Sequence, residues 1–151
     1  MEKDISQITT YESGIMQSTA HRTLGRIKSD YLSQYGLTSM QWFTIGLIYD
    51  AGENGLRLNT LMKTLDTTMP YITNVINNLE LKGVLYKISD TKDSRVKLAV
   101  LNPGYRSIVQ EIEKGLREEL RTKLYSQDHI NREELAAYVA VLYKIAQFNK
   151  N

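Results

Sequence analysis

Hydrophobic positions divide the middle of the chain into two short helices and a β-hairpin. Apolar residues first recur at helical spacing in two adjacent stretches, which give way to two β-rich runs around a charged segment. The four predicted elements are, in chain order, Leu58–Leu65, Thr68–Lys82, Val84–Ser89 and Val96–Leu101. A tight turn at Asp66-Thr67 separates the helices, and Gly83 ends the second one. This order predicts a winged helix-turn-helix unit.

Helical spacing also predicts two helices ahead of this unit. The first is expected from about Ile5 to Tyr35, with Gly36 as its stop. The second is expected from a cap at Thr38 or Ser39 to about Asp50. After a turn, residues 56–58 alternate in polarity and predict a short strand that docks against the hairpin.

Two further helices are predicted beyond the hairpin. Asn102-Pro103 marks the start of the first, because Asn caps helices well and Pro suits the first turn. Its apolar residues recur every four positions, at Ile108, Ile112, Leu116, Leu120 and Leu124. After a break at residues 127–131, Asn131 is expected to cap the last helix. The side chains expected to face inward there are Leu135, Val139, Leu142 and Ile145.

The predicted fold is therefore mainly α with a small β-hairpin wing, in the α+β class: a winged helix-turn-helix with long N- and C-terminal dimerisation helices. A single domain is expected over residues 1–151, with a DNA-binding lobe at about 38–101 and dimerisation helices at about 5–35 and 103–149. The terminal helices carry more apolar surface than a winged unit of roughly 50 residues covers. We expect the chain ends to pack together and against a second copy, in a symmetric homodimer.

Composition restricts the function classes that remain. Apolar content of 42% and charged content of 24% are ordinary for a soluble globular protein. No apolar run is long enough to span a membrane, and the N-terminus lacks a secretion signal, which predicts a cytoplasmic protein. The absence of cysteine excludes disulfides, thiolate nucleophiles and cysteine-based zinc sites. The two histidines, His21 and His129, are far apart, and no catalytic, metal or cofactor site is predicted.

Positive charge is concentrated in the predicted winged unit. Residues 56–101 contain seven lysine and arginine side chains and four carboxylates, so this stretch carries +3, whereas the whole chain carries +2. The remainder, with twelve cations and thirteen anions, carries −1. A phosphate-binding surface needs such a local excess of cations.

The helix Thr68–Lys82, called the recognition helix below, carries residues expected to contact DNA. Its buried stripe is expected to comprise Ile72, Val75, Ile76 and Leu79. Asn pairs with adenine through two hydrogen bonds in the major groove, and Thr and Tyr hydroxyls bind phosphates or base edges. The predicted DNA-binding residues outside the stripe are Thr68, Met69, Pro70, Tyr71, Thr73, Asn74, Asn77 and Asn78. For each residue taken singly, a solvated polar face is the alternative.

The charged segment between the β-runs, residues 90–95, is predicted to form the tip of the wing. Lys92 and Arg95 are expected to reach a minor groove or flanking phosphates. Asp93 is too negative to face phosphate. We expect its carboxylate to hold Arg95, or a residue at the base of the recognition helix, by a charge-assisted hydrogen bond. The alternative is a solvated turn.

These features together resemble the MarR family of bacterial transcription regulators, over nearly the whole chain and in the same element order. The similar stretches are Gly36-Leu37-Thr38-Ser39-Met40-Gln41-Trp42, Val75-Ile76-Asn77-Asn78-Leu79-Glu80-Leu81-Lys82-Gly83-Val84-Leu85, and Asp90-Thr91-Lys92-Asp93-Ser94-Arg95 followed by Leu101-Asn102-Pro103. The resemblance implies a homodimer, formed by the terminal helices, that binds a pseudo-palindromic operator in double-stranded DNA and usually represses transcription. The chain departs from the family pattern at Lys92, Asn102 and Tyr105, and its recognition helix lacks arginine.

Many members of that family bind small aromatic or phenolic molecules in a pocket between the dimerisation helices and the winged unit. By the same resemblance, aromatic walls with a His or Arg for an anionic group are expected here. The candidate ligand-binding residues are His21, Arg22, Tyr31, Tyr35, Trp42 and Phe43. A simpler role is open for several of them, since Trp42 and Phe43 suit the core and His21 suits the surface or a dimer interface.

Two other function classes stay open. A winged-helix protein-interaction module without DNA binding is the alternative, and the recognition helix without arginine favours it. An enzyme ranks last, because no nucleophile–base pair, phosphate loop or metal cluster is recognisable by spacing.

Overall fold

The computed structural model describes residues 4–126 and 129–150, and its elements follow the predicted order. Six α-helices and one three-stranded sheet lie within this part of the chain. The helices are α1 Thr10–Leu32, α2 Ser39–Ala51, α3 Leu58–Thr64, α4 Met69–Leu81, α5 Arg106–Leu120 and α6 Arg132–Gln147. The strands are β1 Leu56–Arg57, β2 Leu85–Ser89 and β3 Lys97–Leu101. The winged helix-turn-helix fold predicted from the sequence is confirmed.

The sheet has the order β1-β3-β2, and both pairings are antiparallel. The hairpin consists of β2 and β3, with Leu85 opposite Leu101 at its base. The two-residue strand β1 is added at the edge, with Leu56 opposite Ala99. This pairing confirms the short strand predicted ahead of the helix pair, and it brings Arg57 beside the wing.

Gly55 allows β1 to reach the sheet. Its φ is +72°, a conformation in which residues with a Cβ are strained. A Cβ built on it would lie 2.8 Å from Val100 Cγ2 and 2.9 Å from Ala99 O. A glycine is therefore needed both for the turn into β1 and for the close approach of that turn to β3.

One hydrophobic core joins the helix pair and the sheet to α1, α2 and α5. The apolar side chains with no exposed surface are Leu32, Ile45, Ile48, Leu61, Ile72, Ile76, Leu79, Ala99 and Ile112. The predicted stripe of the recognition helix is confirmed, since all four of its residues are buried. The core thus fixes the rotation of α4 and determines which of its faces meets solvent.

The predicted helix over residues 5–35 is wrong at its start. Thr9 caps α1 in a capping box: its hydroxyl accepts from the Glu12 N–H at 3.2 Å, and its N–H donates to the Glu12 carboxylate at 3.0 Å. The residues upstream form a separate 3₁₀ turn, Ile5–Gln7. At its other end α1 stops at Leu32, a further 3₁₀ turn follows, and the chain turns at Gly36.

The predicted cap of α2 is confirmed. Thr38 Oγ1 accepts from the Gln41 N–H at 3.1 Å, and Gln41 Oε1 accepts from the Thr38 N–H at 3.0 Å. Lys82, just after α4, donates its ammonium to the Gly36 carbonyl oxygen. The end of the recognition helix is therefore tied to the start of α2.

Asn102 does not cap the fifth helix, contrary to the prediction. Its Nδ2 donates to the Gly83 carbonyl oxygen at 2.6 Å, and its backbone N–H donates to Val84 O at 3.0 Å. Pro103 instead opens a short 3₁₀ turn, and α5 starts at Arg106. Asn102 therefore joins the chain before α5 to the chain after α4. The pairing of Leu85 with Leu101 at the base of the hairpin brings these two segments together.

The C-terminal part departs from regular α-helix after α5 and again after α6, where Phe148–Lys150 form a 3₁₀ turn. α5 ends at Leu120 and continues into a π-helical turn, Arg121–Tyr125. The predicted break at residues 127–131 falls partly on residues 127 and 128, which lie outside the described residues. Asn131 caps α6 as predicted, since its Oδ1 accepts from the Glu134 N–H at 2.8 Å.

The apolar face of α6 is exposed in the single chain. Of the four side chains predicted to face inward, only Leu135 is half-buried, and Val139, Leu142 and Ile145 are 55%, 44% and 62% exposed. The prediction is therefore wrong for one protomer, whose other described elements leave this face uncovered. α1 likewise exposes Tyr11, Ile15 and Met16. Extended apolar surfaces of this kind mark interaction sites.

Candidate nucleic-acid interface and adjoining cavities

The recognition helix α4 is capped at its start and oriented by its buried stripe. Thr68 Oγ1 accepts from the Tyr71 N–H at 3.4 Å. Pro70 occupies the first turn, where a backbone N–H would have no partner within the helix, so its missing N–H costs no hydrogen bond. The turn before the helix passes through Asp66 at φ +52°, a left-handed conformation that aspartate tolerates better than most residues. These local features set where the helix begins and which residues follow on its outer side.

The outer side of α4 carries the polar set expected from the sequence. Tyr71 is 44% exposed, and Met69 is the member of the set that is half-buried. The exposed members are Thr68, Pro70, Tyr71, Thr73, Asn74, Asn77 and Asn78. A helix of 13 residues is about 20 Å long. One helix face therefore presents hydroxyl and amide groups over most of that length.

At the tip of the wing, Asp93 holds Arg95 as expected. Asp93 Oδ1 accepts from Arg95 Nε and Oδ2 accepts from Arg95 Nη2, each at 3.1 Å, and Oδ1 also accepts from the Arg95 N–H at 3.1 Å. The bonds from the side chain and then from the backbone of Arg95 keep the pKa of Asp93 below its ordinary range. The Arg95 side chain stays 89% exposed, so its guanidinium is oriented without being withdrawn from solvent.

A second carboxylate braces the wing, and its partner was missed in the sequence. Asp90 Oδ2 accepts from Arg57 Nη2 at 2.8 Å, and Asp90 Oδ1 accepts from the Lys92 N–H at 3.0 Å. The bond from Lys92, followed by the Arg57 side chain, lowers the pKa of Asp90. Arg57 and Asp90 are 33 residues apart, so only the pairing of β1 with the hairpin could have revealed them as partners.

Lys87 on β2 joins the wing to the recognition helix. Its Nζ donates to Asn77 Oδ1 at 2.9 Å and lies 3.5 Å from Glu80 Oε1. Its backbone N–H donates to Glu80 Oε2 at 3.2 Å. The outer side of α4 and the first strand of the wing therefore form one continuous polar surface, called the α4–wing surface below. The sequence marked Lys87 only as one of the cations of this region.

Most of the negative charge on residues 56–101 is paired. Three ion pairs lie within this stretch: Arg57–Asp90, Lys87–Glu80 and Arg95–Asp93. Within the described part of the chain, the ammonium groups of Lys63 and Lys92 take part in no ion pair or hydrogen bond. Residues 56–101 therefore keep two ammonium groups without such a partner while three of their four carboxylates are engaged, a balance that favours an incoming polyanion.

The six candidate ligand-binding residues are not gathered at one place in the single chain. His21 and Arg22 are exposed on α1. Tyr31 and Tyr35 pack together, with ring centroids 6.0 Å apart. The Tyr31 hydroxyl occupies the space over Gly115 of α5, where a Cβ would collide with it. Desolvation, followed by the interaction with Tyr35, raises the pKa of Tyr31 to about 12, so this hydroxyl stays neutral and serves the contact between α1 and α5.

Trp42 and Phe43 line a cavity of about 860 Å³ between the winged unit and α5. The other principal walls are Leu47, Leu65, Glu113 and Arg117. A neighbouring cavity of about 940 Å³ shares both aromatic residues and Arg117, and it adds Lys28. Lys28 Nζ lies 5.6 Å from the centroid of the Phe43 ring, and Arg117 Nη2 donates to Glu113 Oε1 at 2.8 Å.

The cations at these two cavities differ from those expected. The sequence predicted His21 and Arg22, and neither lines these cavities. The basic residues of the first cavity are Lys114 and Arg117, and those of the second are Lys28, Arg117, Arg121 and Arg132. Lys28 lies two helical turns beyond His21 on α1, and Arg117 belongs to a distant helix. The α1–α2–α5 packing that brings them together has no local signature in the sequence.

The described residues offer no sign of two other kinds of site. No three His, Asp or Glu side chains among them lie close enough together to hold a metal ion. None of their helices combines the length and the apolar character that crossing a bilayer requires.

Solved structures share this fold over nearly the whole chain. The chain is 29% identical to S. aureus MepR in a DNA complex, with 91% of this chain and 96% of that one covered and a TM-score of 0.73. It is 21% identical to an E. coli MarR variant in complex with operator DNA, with 87% and 91% covered and a TM-score of 0.72. A MarR-family transcriptional regulator from a Rhodococcus species is 16% identical, with 93% and 97% covered and a TM-score of 0.80. No protein-family model and no curated protein matches the sequence.

Proposed function

We propose that this winged-helix protein is a DNA-binding transcription regulator of the MarR type that acts as a homodimer. The observation that carries this proposal is the α4–wing surface, where exposed amide and hydroxyl groups adjoin the Lys87 ammonium and lead to the exposed cations Lys92 and Arg95 of the wing tip. Phosphate contacts supply affinity, and polar side chains on a recognition helix supply base contacts. S. aureus MepR, the 29% identical protein, was solved in a complex with DNA.

The exposed faces of α1 and α6 supply the second half of the proposal. Apolar side chains such as Tyr11 and Leu142 need a cover that the single chain lacks, and a second copy provides one. A twofold dimer presents two α4 helices to half-sites about 34–36 Å apart. Such a protein reads a pseudo-palindromic operator, and we propose repression because a dimer on the operator blocks access of the polymerase to the same DNA.

The proposed roles follow from the position of each group. The outer side of α4 enters a major groove, and the wing tip follows the flanking backbone or minor groove with Lys92 and Arg95. Asp93 and Asp90 do not face phosphate in this arrangement. They orient Arg95 and the start of the wing tip from the side, through the hydrogen bonds described above.

The test is titration of the DNA upstream of the protein's own coding sequence, followed by fluorescence anisotropy. Between 50 and 200 mM salt we expect affinity to fall by about 10³-fold or more if at least six phosphates are neutralised. Arg95→Ala should weaken binding to every sequence, whereas Arg26→Ala, which removes the same charge from α1, should not. The absence of a salt-sensitive complex would contradict the proposal. A stoichiometric protein partner without DNA binding would instead favour an interaction module.

We also propose that a small aromatic anion regulates the dimer by binding beside Trp42 and Phe43. Support comes from the cavity of about 860 Å³, which lies within the usual size range of ligand sites and borders both the winged unit and α5. Aromatic walls suit a flat ring, and Arg117, together with Lys28 of the adjoining cavity, suits its carboxylate or phenolate. A ligand wedged there would change how the winged unit sits on the dimerisation helices.

Trp42 provides the readout for this second proposal, because it is the one tryptophan of the chain. Benzoate and hydroxybenzoates should change its fluorescence and weaken the DNA complex, and cyclohexanecarboxylate should do so less. Arg117→Met should remove most of the response, whereas Arg22→Met should leave it intact if the ligand sits in this cavity. An unchanged spectrum at millimolar ligand would contradict the proposal.

A further inference from the structure

Three asparagines share the outer side of α4, and the structure distinguishes them. Asn77 Oδ1 accepts from the Lys87 ammonium at 2.9 Å. The carboxamides of Asn74 and Asn78 form no hydrogen bond within the described part of the chain. Residues that the sequence presents as equivalent therefore differ in how many of their polar atoms are available.

The chemistry of the partners fixes the orientation of the Asn77 amide. A lysine ammonium donates hydrogen bonds and accepts none. The Asn77 atom that faces Lys87 is therefore the carbonyl oxygen, and the NH₂ group faces away. An amide that has no charged partner has no such constraint and can rotate to match whatever it meets.

Lys87 is itself held in place relative to α4. The Glu80 carboxylate accepts its backbone N–H at 3.2 Å and lies 3.5 Å from its Nζ. Glu80 and Asn77 are one helical turn apart, so the ammonium is bound at two points of the same helix. The remaining N–H of the ammonium is free to point to a phosphate.

We infer that Lys87 is a positioning residue for base recognition: by bonding the Asn77 oxygen it fixes the orientation of that amide, with the NH₂ group facing away, and the two-bond contact with adenine falls to Asn74. This inference rests on the proposed DNA-binding function. An adenine contact requires the Asn oxygen to accept from N6 while the nitrogen donates to N7. The Asn77 oxygen keeps a second lone pair, but the bond to Lys87 fixes the direction in which that oxygen points. The group that Asn77 presents away from Lys87 is its NH₂ donor, which suits an acceptor such as a phosphate oxygen or a guanine edge. Asn74 lies closer to the N-terminus of the helix, the part that contacts base edges in helix-turn-helix proteins.

Selection from a randomised operator tests the division of roles. Asn74→Ala should reduce the preference for adenine at one position per half-site by about 5- to 150-fold, the range expected for a lost two-bond contact. Asn77→Ala should lower affinity for all sequences by a common factor and leave the order of base preferences unchanged. A changed base preference in Asn77→Ala would overturn the inference.

Lys87→Met provides the sharper test, because it removes the bond that fixes the orientation of the Asn77 amide. The variant should show an altered base preference that disappears when Asn77→Ala is added to it. The matched control is Lys97→Met, which removes the same charge from β3, where the ammonium donates to Ser89 Oγ at 3.0 Å. That control should lower affinity at most and leave base preference as it is. Unchanged preference in Lys87→Met would overturn the inference.

A measurement without DNA separates this inference from the proposed function. The side-chain amide resonances of Asn77, assigned by their loss in Asn77→Ala, should shift in Lys87→Met and stay in place in Lys97→Met. Resonances that do not move in Lys87→Met would overturn the inference even if the protein binds DNA. If they move but the unaltered protein binds no DNA, the proposed function is overturned and the Lys87–Asn77 contact stands alone.

Discussion

The recognition helix α4 and the terminal helix α6 both carry an apolar stripe, but their surroundings are opposite. α4 has 13 residues and buries Ile72, Ile76 and Leu79 completely. α6 has 16 residues, and none of its described side chains is buried. An apolar stripe therefore predicts that a helix face needs a cover, without indicating whether the cover lies in the same chain. The core contacts of α4 stabilise the protomer, and the exposed face of α6 is available for the proposed dimer interface.

The largest expected effect comes from placing charge on the exposed stripe of α6. Leu142→Asp combined with Ile145→Asp would bury two unpaired carboxylates in the proposed dimer interface, at a cost of several kcal/mol. We expect the dimer to dissociate at micromolar concentration, as measured by analytical ultracentrifugation, and operator affinity to fall accordingly. The circular dichroism of the protomer should remain helical, because the core around α4 is untouched.

Lys144→Asp is the control for this double variant, since it changes the charge of the same helical turn without removing apolar surface. It should remain dimeric. A dimer that survives Leu142→Asp with Ile145→Asp would contradict the proposed interface.

The complementary change lies on α4. Ile76→Ala leaves a cavity in the core and should lower the free energy of unfolding by about 2–5 kcal/mol. Urea unfolding at two protein concentrations should give the same loss at both, because the contact lies within one protomer. Leu142→Ala should instead lower the urea midpoint of unfolding mainly at the lower protein concentration, where the weakened dimer dissociates. The same concentration dependence in both variants would contradict the assignment of the α4 stripe to the protomer core and of the α6 stripe to a dimer interface.

A smaller effect on the free energy of unfolding is expected at the contact between α1 and α5. Gly115→Ala places a methyl group against the Tyr31 hydroxyl, and overpacking of this kind lowers the free energy of unfolding by about 1–3 kcal/mol. Gly46→Ala in α2 meets no atom within 4 Å and should raise it by about 0.4–1 kcal/mol. Thermal unfolding measures both changes, and a Gly115→Ala protein as stable as Gly46→Ala would contradict the packing described here.

The smallest effect concerns the ionisation of the wing, far from both helix stripes. Hydrogen bonds lower the pKa of Asp90 and Asp93 in the folded protein, so the bonded wing persists above the ordinary aspartate pKa of about 3.9 and is lost as pH falls through the lower folded values. The amide proton shifts of Lys92 and Arg95 should report these titrations by NMR, with midpoints below about 3.9. Midpoints at or above that value would contradict the bonds, and Asp93→Asn should abolish the Arg95 transition.

Elements set by neighbouring residues were predictable from the sequence. The stripe of α4, the hairpin, and the caps at Thr38 and Asn131 all depend on residues within about one helical turn or one strand, and the structure confirms them. The start of α1 was not predicted. Apolar spacing alone extends the helix back to Ile5, whereas the capping box of Thr9 and Glu12 makes it begin at Thr10. A local polar signal there outweighs the hydrophobic pattern.

Contacts between distant parts of the chain were not predictable. The bridge from Arg57 to Asp90 depends on a strand pairing, and the contact of Lys87 with Asn77 depends on how β2 lies along α4. The same limit explains the choice of basic residues for the ligand site, since Arg117 meets Trp42 only after α5 has packed. A sequence reveals which side chains can bond; the fold decides which of them meet.

The two hydrogen bonds of Asn102 have a mechanical consequence. They fasten the chain entering α5 to Gly83 and Val84, where the chain leaves α4. A tilt of α5 therefore also moves residues 83 and 84, and with them the C-terminal end of the recognition helix. In the proposed dimer, such a movement would change the distance between the two α4 helices, and a DNA duplex accepts only a narrow range of that distance.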